Sequence, residues 1–151
     1  MKRILVIHSG ALGDSILILP AIKALREQWP SSNIEVIGSP PLIQLVPGRY
    51  YADSVTSIDK AGFSNFFARS PILSKNWVDY FRSFQLVVCF IKDKCLIQNI
   101  KSTGVNRIVY AASENTGKSH MADYLVKILK PLGISGEGIP RIYFRGEDKL
   151  F

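Results

Sequence analysis

Five short runs of strand character punctuate this chain, and each is followed by a stretch of helical spacing or by turn residues. The runs are "RILVIH" (3–8), "NIEVIG" (33–38), "DSVTSID" (53–59), "QLVVCFI" (85–91) and "NRIVYA" (106–111). Helical spacing is found in "SILILPAIKALREQW" (15–29), in a short piece running to "PG" at 47–48, and in residues 63–84 with a break at Pro71. It returns in "KDKCLIQNIKST" (92–103) and in "SHMADYLVKILKPLG" (119–133). A strand that is apolar at nearly every position has no wet face, so it belongs to a sheet covered on both sides. Strands alternating with helices make that sheet parallel, with right-handed crossovers. The expected fold class is therefore α/β, a Rossmann-like parallel sheet with helices on both faces.

At 151 residues the chain is one domain, large enough to bury a core without staples. Its 47% hydrophobic and 21% charged content excludes a disordered chain. Its longest apolar runs, such as "ILILPAI", fall well short of the roughly 20 residues of a membrane span. "MKRILVIHSG" has too short an apolar core for a secretory signal. Cys89 and Cys95 have no Cys or His partners at metal spacing and read as thiols rather than ligands, so no metal site is expected. These features set a cytoplasmic location as the expectation. The net charge of +7 favours anionic partners. The basic residues are scattered and accompany no nucleic-acid motif, so no nucleic-acid partner is expected.

Parallel sheets bind ligands outside the carboxyl ends of their strands. The loops there are "HSGALGD", "GSPP", "IDKAG", "IKDK" and "AASENTGKSH". The first has Gly10 and Gly13 but lacks the earlier glycine of a dinucleotide fingerprint. It suits a sharp strand-to-helix turn, with Asp14 at the helix start as an N-cap or as a working carboxylate. Pro20, inside the following helix, implies a kink or an irregular first turn. Residues 112–119 satisfy a permissive P-loop pattern ending in Gly117, Lys118 and Ser119, with Ala112 in the first glycine's place and Asp59 as the only candidate for a magnesium-binding acid. Residues 63–84 interleave Phe63, Phe66, Phe67, Trp77, Tyr80, Phe81 and Phe84 with Arg69, Lys75 and Arg82. Such a stretch packs on a sheet, and it also suits an amphiphilic ligand or an anionic bilayer surface.

Taken together, "ILVIHSGALGDSILILPAIKALREQWPSSNIEVI", "YYADSVTSID", "HMADYLVKILKPLGI" and "IPRIYF" resemble the glycosyltransferases of family 9, the ADP-heptose:lipopolysaccharide heptosyltransferases. The likeness runs along nearly the whole chain. It departs where Gln85 and Cys89 occupy positions that are acidic in the family, and where "NRIVYA" lacks the family's glycine.

The resemblance implies the N-terminal half of a GT-B fold: an acceptor-binding domain over residues 1–140, the start of an interdomain linker over 141–151, and a C-terminal nucleotide-sugar domain absent from this chain. It implies an inverting, metal-independent transfer of heptose or a related sugar from an ADP-sugar to a lipopolysaccharide-core acceptor, by an enzyme inactive as this half alone. No cofactor is implied, since the ADP-sugar is a substrate held mainly by the other domain. Asp14 would be the catalytic base, with Ser9, Gly10, Gly13, Lys92, Lys118 and His120 as substrate-binding residues. The implied partners are an anionic core acceptor, the second domain and, peripherally, the inner membrane surface. Two other functions stay open: a small P-loop-like nucleotide binder and a non-catalytic module for anionic glycolipids.

Overall fold

A computed structural model describes residues 2–10, 12–39, 52–111 and 125–134. Five strands form one sheet: β1 (Arg3–Ile7), β2 (Asn33–Gly38), β3 (Ser54–Ser57), β4 (Leu86–Cys89) and β5 (Ile108–Tyr110). Their order is β3-β2-β1-β4-β5, and every neighbouring pair is parallel. The apolar central strand β1 is registered on both sides, Ile4 opposite Ile34 and Leu86, and Ile7 opposite Ile37 and Cys89.

Side-chain alternation along these strands feeds two separate cores. Ile4, Val6, Ile34, Val36, Leu86 and Val88 point to one face. There they meet helix α2 (Leu19–Gln28), through Leu19, Ala21, Ile22 and Leu25, and the returning segment at Leu125, Val126 and Leu129. Leu5, Ile7, Ile37, Val87 and Cys89 point to the other. That face is covered by the 3-10 turn Phe63–Phe67 and by helices α3 (Lys75–Arg82) and α4 (Lys94–Ser102). Helices thus lie on both faces, as the apolar strands require.

Three local departures from the sequence pattern have clear causes. The helix after β1 starts before residue 15, as α1 (Leu12–Leu17), and breaks at Ile18 before α2 begins. Pro20 is the second residue of α2, where its missing N–H has no helical partner to lose. Asp14 consequently lies inside the first turn of α1 rather than at an N-cap. Residues 63–84 are also not one helix broken at Pro71. The 3-10 turn ends at Phe67, and α3 starts afresh at Lys75, capped by Ser74, whose Oγ accepts the Trp77 N–H at 3.3 Å. The aromatics keep helical spacing yet pack as one cluster, with Phe66 and Phe81 ring centres 4.9 Å apart. In the last predicted helix, residues 125–127 are helical, and a 3-10 turn (Lys130–Leu132) follows, closed by left-handed Gly133.

Side-chain ties fix the sheet's amino edge and the α2 exit. Gln85 Oε1 accepts the backbone N–H of Arg3 at 2.6 Å and of Lys2 at 3.2 Å. Arg26 reaches Ser32 O and Asp53 Oδ2, and the same Asp53 oxygen accepts the Ile34 N–H at 2.8 Å. The expected linker at 141–151, the P-loop-like loop 112–119 and His120 lie outside the described residues.

Candidate functional site

The sheet's strand order reverses direction at β1, since β2 lies on one side of it and β4 on the other. A crevice forms outside the carboxyl ends of such strands because the flanking connections diverge to opposite faces. Here a cleft of about 230 Å³ lies at that place. His8 and Ser9 reach it from the end of β1, Asp14 and Leu17 from α1, Phe90 and Lys92 from the end of β4, and Ala111 from the end of β5. Leu125 and Ile128 close one wall.

The turn from β1 to α1 is built to bring the carboxylate back over the strand end. Gly10 has φ +149°, a conformation that side chains rarely adopt. Ser39, just beyond β2, holds it from both sides: its Oγ accepts the Gly10 N–H at 3.1 Å and donates to the Gly10 carbonyl at 2.8 Å. With the turn fixed, Asp14 is exposed at the cleft while His8 is buried beside it.

His8 is the part of this site that sequence reasoning missed. The residue is 7% exposed, and its Nδ1 is buried without a hydrogen-bond partner among the described residues. Burial pushes the imidazole down to about 4, against the Asp14 carboxylate, which favours the charged ring. At neutral pH the ring is therefore uncharged, with one nitrogen able to accept and one to donate. An orphaned buried nitrogen costs on the order of 1–3 kcal/mol, which a hydroxyl-bearing ligand in the cleft would offset. The signal in the sequence was slight: a single histidine closing an apolar strand.

Of the expected site residues, Ser9, Asp14 and Lys92 line the cleft together, Gly10 shapes the turn, and Gly13 is the second residue of α1. Lys118 and His120 lie outside the described residues. No group of three or more His, Cys, Asp or Glu side chains that could hold a metal occurs among the described residues. Gln85 and Cys89 take no part in the cleft lining: Gln85 ties the amino edge, and Cys89 lies in the core below α4. Asp59 follows β3 at one edge of the sheet, and the P-loop-like segment 112–119 lies outside the described residues.

No protein-family model matches this sequence, and no curated protein matches it. Solved structures do match. A glycosyl transferase family 9 protein from Veillonella parvula DSM 2008 superposes with a TM-score of 0.69, over 97% of this chain at 20% identity. This is the fold of glycosyltransferase family 9. The E. coli heptosyltransferase WaaC matches in complex with ADP, at a TM-score of 0.57 and 12% identity over 89% of this chain. Its complex with ADP-2-deoxy-2-fluoro heptose matches at 0.53 and 15%, also over 89%. The chain spans about half the length of the structures it matches, from 46% to 49%. What it shares with the family 9 fold is thus one α/β half, whose switch-point cleft is the one described above.

Proposed function

We propose that this chain is the acceptor-binding half of a cytoplasmic glycosyltransferase that moves heptose or a related sugar from an ADP-sugar to a lipopolysaccharide-core acceptor. The observation that supports the reading best is the meeting of Asp14, His8, Ser9 and Lys92 in one cleft, at the switch point of a family 9 fold.

In this reading an acceptor hydroxyl lies in the cleft against the Asp14 carboxylate. Its oxygen attacks the anomeric carbon of the donor from the side opposite the diphosphate. A new carbon–oxygen bond forms, the bond to the diphosphate oxygen breaks with its electron pair, and ADP departs. The hydroxyl proton passes to Asp14, and the anomeric configuration inverts. No metal takes part. Neutral His8 hydrogen-bonds a second sugar hydroxyl and holds the acceptor in register with Asp14. The Lys92 ammonium attracts the carboxylates and phosphates of the acceptor, and Lys118 and His120 add further contacts to it. The ADP-sugar is held by the second half of such an enzyme, so this chain alone binds acceptor without turning it over.

The test is mass spectrometry of a core oligosaccharide incubated with ADP-heptose and a protein that carries both halves. One heptose is added with inversion, EDTA has no effect, and Asp14→Asn abolishes transfer without lowering the melting temperature. Full turnover by Asp14→Asn would remove the base assignment.

A further inference from the structure

Backbone pairing between β1 and β2 runs to their carboxyl ends, where the His8 N–H donates to the Ile37 carbonyl at 3.0 Å. Two residues further along each segment, at Gly10 and Ser39, a side chain takes over from the backbone. The Ser39 hydroxyl accepts the Gly10 N–H at 3.1 Å and donates to the Gly10 carbonyl at 2.8 Å, across 29 positions of sequence. A hydroxyl can donate and accept at once. One side chain therefore satisfies both main-chain groups of a residue that its φ of +149° takes out of the ladder.

What this clamp holds is the bed of the carboxylate. The Asp14 side chain folds over the bare α-carbon of Gly10, so close that no β-carbon fits between them. Gly10 thus has Ser39 on its main chain and Asp14 against its α-carbon. Pro40 follows Ser39, and a residue before proline is kept out of the helical region, so the backbone that carries the hydroxyl has little freedom to turn away. Ser39 itself is not among the described residues that line the cleft.

We infer that Ser39 is a positioning residue for Asp14. It holds the carboxylate where an acceptor hydroxyl loses its proton, without touching the acceptor. The catalytic part of this inference rests on the glycosyl-transfer reading, and the structural part on the turn alone. Without the hydroxyl, the Gly10 N–H and carbonyl turn to water and the turn samples other conformations. A displacement of about 1 Å is enough to cost about a hundredfold in rate. Gly10 still leaves the carboxylate its space, so Asp14 returns to the acceptor often enough to keep most of the affinity. The loss falls on kcat.

Two readouts test this on wild type, Ser39→Ala and Ser39→Thr, which keeps the hydroxyl. In the 151-residue chain, NMR gives a nuclear Overhauser contact between the Gly10 α-protons and the Asp14 β-protons. Ser39→Ala weakens that contact and speeds exchange of the Gly10 amide about tenfold, and Ser39→Thr preserves both. The second readout is kinetic, in a protein that carries both halves, with ADP-heptose and a core oligosaccharide. Ser39→Ala lowers kcat roughly 30- to 100-fold with both KM values within about threefold, and Ser39→Thr restores kcat. An unchanged contact and amide exchange in Ser39→Ala would overturn the proposal, as would an unchanged kcat or a loss confined to KM. If the wild-type protein with both halves transfers no sugar, the glycosyl-transfer reading falls. The Gly10–Asp14 contact then decides by itself whether Ser39 positions the carboxylate.

Discussion

A β-carbon placed on Gly10 would stand 2.7 Å from the β-carbon of Asp14 and 2.9 Å from its Oδ2. The glycine thus vacates the space into which the carboxylate folds, and Ser39 locks it there. Gly10→Ala is expected to displace Asp14 from the cleft or open the turn, at about 1–3 kcal/mol of backbone strain. Calorimetry with a core oligosaccharide should show at least a tenfold loss of affinity relative to the wild-type chain. An alanine variant that binds as well as wild type would mean that Asp14 is not positioned by this turn.

His8 makes the fold sensitive to acid. In the unfolded chain it takes up a proton near its ordinary 6.5, whereas in the folded chain it does so only near 4. Between those values the unfolded state holds more protons, so stability is fully present above about 6.5 and falls as pH drops toward 4. The loss is on the order of 2–3 kcal/mol and stops below the folded value. Urea titrations at about pH 7 and about pH 4.5 should show a smaller pH dependence in His8→Gln. An equal pH dependence in variant and wild type would place the acid sensitivity elsewhere.

Asp53 ties α2 to the start of β2 and β3. Burial works against its ionisation, but the Arg26 guanidinium and the Ile34 N–H more than offset this, and the carboxyl is held below its ordinary range. This contribution is present above the ordinary carboxylate pKa and fades as pH falls through the lowered one. Asp53→Asn should cost about 0.5–1 kcal/mol at neutral pH by denaturant unfolding, because the pair is solvent-screened, and less in strong acid. A pH-independent difference would show that packing, not the ion pair, is what the substitution disturbs.

Cys89, the last residue of β4, is fully buried in the core that α4 covers, and burial pushes its thiol up to about 12. With so little thiolate it should resist iodoacetamide in the folded chain and react only when urea unfolds it. Rapid labelling of Cys89 under native conditions, read by peptide mass spectrometry, would contradict the packing of β4.

The strands and their burial were legible because β1 and β4 are apolar nearly throughout, which only a doubly covered sheet permits. The helix after β1 was harder. Pro20 announced a break, but whether Asp14 capped a helix or stood inside one depended on where the turn at Gly10 ended. Residues 63–84 misled for a different reason. Their aromatic spacing comes from a shared core, with Trp77 Nε1 donating to Ala61 O, and not from one continuous helix. His8 escaped notice because its neighbour in space, Asp14, stands six residues away along the chain, and only the folded-back turn joins them.

The central strand has a consequence for synthesis. Ile4 is registered against Leu86, so β1 has no partner on that side until the chain has grown by 82 further residues. At ordinary elongation rates that is a wait of roughly 4 to 16 seconds. Through that interval the "RILVIH" strand presents an unfinished, apolar edge to whatever meets the nascent chain at the ribosome exit. Chaperone demand for this protein should therefore concentrate on its first residues and end abruptly when β4 emerges.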